Sequence, residues 1–92
     1  MKVIIVHAKD WFDKVNGNSY FSVRIMVQKK QVKELFCIPF QYGYGDHYRD
    51  IAIQELEKLK ILKKNEKVKP VYIKQENCLK KEVLEWGRLW KT

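Results

Sequence analysis

Glycine and proline are scarce in this chain, with four and two among 92 residues. That scarcity excludes a low-complexity linker, a repeat array or a collagen-like segment. Cysteine is equally sparse. Cys37 and Cys78 are too few and too far apart for a disulfide framework or a four-cysteine zinc site, so they read as free thiols packed as small apolar groups. The longest apolar run near the start, Val3 to Val6, ends at His7 and Lys9, far short of a secretory core or a bilayer span. No membrane association and a cytoplasmic location are therefore expected. Acids are under-represented too. Eleven Asp and Glu face nineteen Lys and Arg, a formal charge of +8, which draws a small protein to polyanions or acidic surfaces.

What is present is globular. The chain is 46% hydrophobic and 13% aromatic, enough for one modest core, so residues 1–92 are expected to form a single domain. Its charge is unevenly placed. Lys58, Lys60, Lys63, Lys64, Lys67, Lys69 and Lys74 share one stretch with a single acid, Glu66, and Lys29, Lys30 and Lys33 form a second cluster.

The pattern predicts an α+β fold in the order βββαβα, an antiparallel sheet of about four strands with one long helix on one face and a C-terminal helix. Val3 to Val6 reads as a first strand, followed by a long connection from Asp10 whose Asn16-Gly17-Asn18 provides turn chemistry. From Tyr20, apolar Phe21, Val23, Ile25 and Val27 alternate with Tyr20, Ser22, Arg24 and Met26, the mark of a half-buried strand. Lys29-Lys30-Gln31 allows a reversal, and Val32, Glu34, Phe36, Ile38 and Phe40 form one alternate set of the next strand. Pro39 cannot donate to a ladder, so this strand is either ending there or lies on an edge. Asp46 is the expected N-cap of a helix reaching about residue 62, with Ala52, Leu56 and Leu59 on its apolar stripe. A fourth strand follows from Val68 to Lys74, with Val71 and Ile73 toward the core, Tyr72 and Lys74 away from it, and Pro70 again marking an edge. Asn77 is a candidate cap for a last helix whose Leu79, Val83, Trp86 and Trp90 make a docking stripe. The sheet face opposite the long helix carries Tyr20, Ser22, Arg24, Met26, Leu35, Cys37 and Tyr72. Either it is a partner surface or the C-terminal helix covers it.

Catalytic chemistry is sparse. Only His7 and His47 could serve as bases, with no spacing to a nucleophile, and Asp46 with Asp50 supplies two metal ligands at most. A non-enzymatic protein without metal or cofactor is expected. Gly43, Gly45 and Asp46 read as a structural junction, since the pattern lacks the lysine of a phosphate-binding loop and Asp46 would repel an anion. Polyanion binding has broader support: the lysines, with Arg24 and Arg49, could neutralise phosphates while Tyr20 or Tyr72 stack on bases.

Trp11 to Asp13, the Asn16-Gly17-Asn18-Ser19-Tyr20 turn and strand, and Pro39-Phe40-Gln41-Tyr42-Gly43-Tyr44-Gly45-Asp46-His47-Tyr48 together resemble a family of small phage and prophage proteins with a Pro-Phe-x-Tyr-Gly-Tyr-Gly-Asp-x-Tyr strand-to-helix junction. The resemblance covers about the first two-thirds of the chain. It implies an accessory or anti-defence protein of the anti-CRISPR kind, working in the bacterial host cytoplasm by occupying a guide-RNA-bound nuclease or a nucleic acid. A freestanding RNA- or DNA-binding module is the alternative, and a small nuclease or hydrolase using His47 and Asp46 is a third.

Overall fold

A computed structural model describes residues 2–62 and 69–88. The order is β1 (Lys2–Asp13), β2 (Asn18–Lys29), β3 (Val32–Tyr42), α1 (His47–Lys58), β4 (Val71–Gln75) and α2 (Lys80–Trp86). The α+β class and the βββαβα order are as expected. The sheet, however, is mixed: in spatial order β3-β2-β1-β4, the first three strands pair antiparallel, whereas β4 runs parallel to β1. Chain geometry explains this correction. β1 and β3 both oppose β2 and so point the same way; α1 carries the chain back to their starting end, and the next strand must run parallel to them.

Three local differences have similarly plain causes. β1 does not stop at Val6, because Asp10, Trp11 and Phe12 continue the ladder opposite Phe21, Tyr20 and Ser19. The loop shrinks to a turn held by the Asp13 carboxylate, which accepts hydrogen bonds from the Val15 and Asn16 amides and the Asn16 side chain, with Gly17 at φ 70°. α1 ends at Lys58 rather than near 62. Lys60 adopts φ 60°, its amide bonds to the Glu57 carbonyl and the Ile61 amide to that of Leu56, the two hydrogen bonds of a Schellman stop. Buried Ile61 then packs beside the buried helix residue Leu56. Asp46 occupies the N-cap position without a capping hydrogen bond, and its carboxylate instead lies 3.8 Å from Arg49 Nε.

The core lies between the sheet and α1. Ile4, Val6, Ala8, Phe21, Val23, Ile25, Val27 and Ile38 meet Tyr48, Ala52, Leu56, Ile61 and Leu62. Each large side chain so buried contributes about 1.5–3 kcal/mol. β4 faces the other way from expectation: Tyr72 and Lys74 stand on the α1 side, while Val71 and Ile73 are 54% and 42% exposed. Alternation separates the two sets but does not say which is inward; pairing Tyr72 with Val6 decides it. Phe40 is displaced as well. Pro39 and Phe40 together face Ser22 across a bulge, so Phe40 leaves the set of Phe36 and Ile38 and joins the outer face. Both proline-marked strands, β3 and the one entered from Pro70, are sheet edges.

α2 crosses the outer face and covers part of it. The Ser22 hydroxyl donates to the Val83 carbonyl, Arg24 donates to the carbonyls of Trp86 and Glu85, and Trp86 Nε1 donates to the His7 carbonyl at 2.7 Å. Gly87 lies against β3, where a Cβ would come 2.8 Å from Ser22 Cβ and 2.9 Å from the Ile38 carbonyl oxygen. The cap of α2 is Leu79, not Asn77; Asn77 takes φ 58° and its amide bonds to Asp10. Of the expected stripe, Val83 is fully buried, Trp86 docks, Leu79 is 68% exposed and Trp90 lies outside the described residues. Beyond Trp86 an apolar row, Leu35, Met26, Ile5 and Val71, crosses all four strands in register, and every member but Ile5 is exposed.

Candidate nucleic-acid interface

The register gathers a group of exposed lysines at one end of the sheet and a group of aromatic rings at the other. At the end where β1 starts, the β2–β3 turn presents exposed Lys29, Lys30 and Lys33. α1 runs back toward this end and delivers exposed Lys58 and Lys60, and exposed Lys69 precedes β4 there. The acids that lie nearest to these six lysines in the described sequence are Glu34, Glu55 and Glu57. Lys63, Lys64 and Lys67, which belong to the same expected patch, lie outside the described residues.

Other expected members are elsewhere. The Lys74 ammonium lies 3.6 Å from both Asp10 and Glu76, donates to the Gly45 carbonyl at 2.8 Å and is only 17% exposed, so it ties β4 to the β3–α1 junction. Arg24 is spent on α2, with its guanidinium 4.1 Å above the Trp86 ring. Tyr72 packs edge-on against Tyr48 beneath the Arg49 guanidinium; burial pushes its hydroxyl pKa upward. None of the three is placed to meet a phosphate or a base first. Arg49 is exposed but stands at the far end, beside Asp46.

That far end is aromatic. Trp11, Tyr20 and Phe40, on three adjacent strands, close a three-ring cluster with centroids 5.7 Å (Trp11–Tyr20), 5.1 Å (Tyr20–Phe40) and 6.3 Å (Trp11–Phe40) apart. Tyr42 meets the edge of Tyr20, and Tyr44 the edge of Tyr42, at 56% and 69% exposure. Tyr20, expected as a stacking residue, is half-buried against Trp11, Phe40 and Tyr42, and the more exposed rings of this cluster are Tyr42 and Tyr44. The sequence does hold a signal for them, the density of tyrosine around Gly43, but that junction is equally well explained by packing alone.

Among the described residues, neither histidine hydrogen-bonds a cysteine or serine side chain. His47 is exposed, with its ring edge-on to Phe21 at 6.1 Å. Burial raises the thiol pKa of both Cys37 and Cys78, opposite to the shift that generates a thiolate nucleophile. Among the described residues no three His, Cys, Asp or Glu side chains gather as metal ligands, and no helix is long and apolar enough to cross a membrane. Compared with protein families, curated proteins and solved structures, the chain matches none.

Proposed function

We propose that this protein is a non-enzymatic binder of nucleic acid, of the phage accessory type, which seats its lysine-rich end on the phosphate backbone of RNA, including the guide RNA of a host nuclease, and acts by occupancy. The observation that carries the reading is the convergence of Lys29, Lys30, Lys33, Lys58, Lys60 and Lys69, from three separate segments, on one end of the sheet. Structural needs do not account for it. Only Lys58 lies in the last turn of α1, where a helix dipole favours a cation. Phosphates answer such a cluster through counterion release, which makes affinity strongly salt-dependent and largely indifferent to sequence.

Reversing Lys29, Lys30, Lys58 and Lys60 to glutamate tests this directly. All four are exposed, so the fold should persist. Affinity for a single-stranded RNA, or for a guide-loaded nuclease that the wild type inhibits, is expected to fall by about 10³-fold. Unchanged binding by a folded variant would refute the proposal.

A further inference from the structure

The cleft at the β3–α1 junction is lined by Tyr42, Gly43, Tyr44, Asp46, His47, Arg49 and Asp50 and holds about 570 Å³. Its chemistry is mixed in a way that selects a ligand. A phosphate or carboxylate entering it meets Asp46 and Asp50, and a bare cation meets Arg49. A neutral, flat group with its own donors and acceptors conflicts with none of these: its faces suit tyrosine rings and its edges suit carboxylates and guanidinium. The geometry points to this cleft as a nucleobase pocket, in which one unpaired base stacks on Tyr44 and is read at its edge by Asp46, Asp50 and Arg49. The inference rests on the nucleic-acid reading above and adds to it a second contact at the opposite end.

The backbone of the cleft and one of its rings are held by the protein itself. A Cβ on Gly43 would overlap the Phe21 ring and crowd His47, so the chain passes there only as glycine, and its amide bonds to the Ser19 carbonyl at 3.0 Å. Gly45 takes φ 62° and its carbonyl is held by Lys74. Tyr42 is braced on the Tyr20–Phe40 stack. A wall partly held in place in this way loses less conformational entropy on binding, which favours a weak, selective contact with a single base. Strand geometry adds a requirement: Tyr20 and Lys29 are nine residues apart on β2, roughly 30 Å at about 3.3 Å per residue, so one strand touching both ends must span several nucleotides.

The test uses uncharged ligands. Adenosine, guanosine, cytidine and uridine, which carry no phosphate, are titrated into the isotope-labelled full chain and followed through backbone amide shifts, with inorganic polyphosphate as a parallel arm. At least one nucleoside is expected to saturate shifts confined to residues 42–50, with an affinity insensitive to salt. Tyr44→Ala should weaken it about tenfold or more and Tyr44→Phe should retain it, since the ring face supplies the contact. Asp50→Asn should change the ranking of the four bases. Polyphosphate should instead shift Lys29, Lys30 and Lys58 in a salt-dependent manner. Nucleoside shifts that never saturate, that scatter over the surface, or that survive Tyr44→Ala unchanged overturn the pocket while leaving the phosphate reading intact. Saturable nucleoside binding with no polyphosphate response would overturn the phosphate reading and keep the pocket.

Discussion

The two ends of this sheet are built on opposite plans. At the lysine end, Lys29, Lys30, Lys58 and Lys60 point into solvent with few protein partners, and two of the backbones there, Lys30 and Lys60, adopt positive φ. At the aromatic end side chains hold one another: Trp11, Tyr20 and Phe40 close a three-ring cluster that Tyr42 and then Tyr44 extend, and Lys74 joins Asp10 to the Gly45 carbonyl. A long-range field needs only charge density, whereas a shaped contact needs fixed walls. The contrast teaches that one chain can carry a diffuse electrostatic surface and a rigid cleft without either compromising the other.

Breaking the rigid end should have the largest effect on folding. Gly43→Ala forces a methyl into the Phe21 ring, and overpacking of this kind costs about 1–3 kcal/mol. Urea unfolding should register that loss, while the folded fraction keeps its affinity for polyphosphate. A stability change under a few tenths of a kcal/mol would show that the junction yields and that the cleft is not preformed.

The lysine end should respond in the other direction. Lys60 occupies the left-handed position of the Schellman stop, where glycine is relaxed and other residues are strained. Lys60→Gly is therefore expected to raise stability by up to about 1 kcal/mol while removing one phosphate contact, so unfolding midpoint and nucleic-acid affinity move oppositely. Parallel movement of the two would contradict the assignment of Lys60 to the binding surface.

The smallest effect belongs to His7, between the ends. Burial beside Trp86 lowers its pKa below the ordinary 6.5; a hydrogen bond with Gln75 offsets part of this, and Lys9 and Arg24 add repulsion. The fold thus prefers the neutral ring. That preference contributes stability in full above pH 6.5, and the contribution is lost as pH falls from there through the lower folded value. Between pH 7.5 and 5.5 the thermal midpoint of wild type should fall more than that of His7→Gln. Equal slopes would remove His7 as a contributor.

Much of this arrangement was legible in the residues. The Phe21 to Val27 alternation, the reversal at Lys29 to Gln31, the edge positions near Pro39 and Pro70, and the helix opening after Asp46 all follow from local rules, and all are observed. What local rules omit is register. Tyr72 faces inward because it pairs with Val6, and Phe40 faces outward because a bulge at Pro39 resets the alternation. Lys74 and Arg24 read as surface cations from their type alone, yet one is bound to Asp10 and Gly45 and the other to α2. Only non-local pairing separates a lysine that serves the fold from one left exposed. The outer face illustrates the same limit: α2 covers Ser22 and Arg24, as one of the two sequence readings expects, while Met26 and Leu35 stay open.

The central claim, that the lysine end engages nucleic-acid phosphates, is tested most directly by the salt dependence of binding to a single-stranded RNA. With four to six phosphates neutralised, the logarithm of the association constant should fall against the logarithm of salt concentration with a slope of about −3 to −4. The Lys29, Lys30, Lys58 and Lys60 reversal should flatten that slope toward zero. A wild-type slope near zero, or an equally steep one in the reversed variant, would contradict the account.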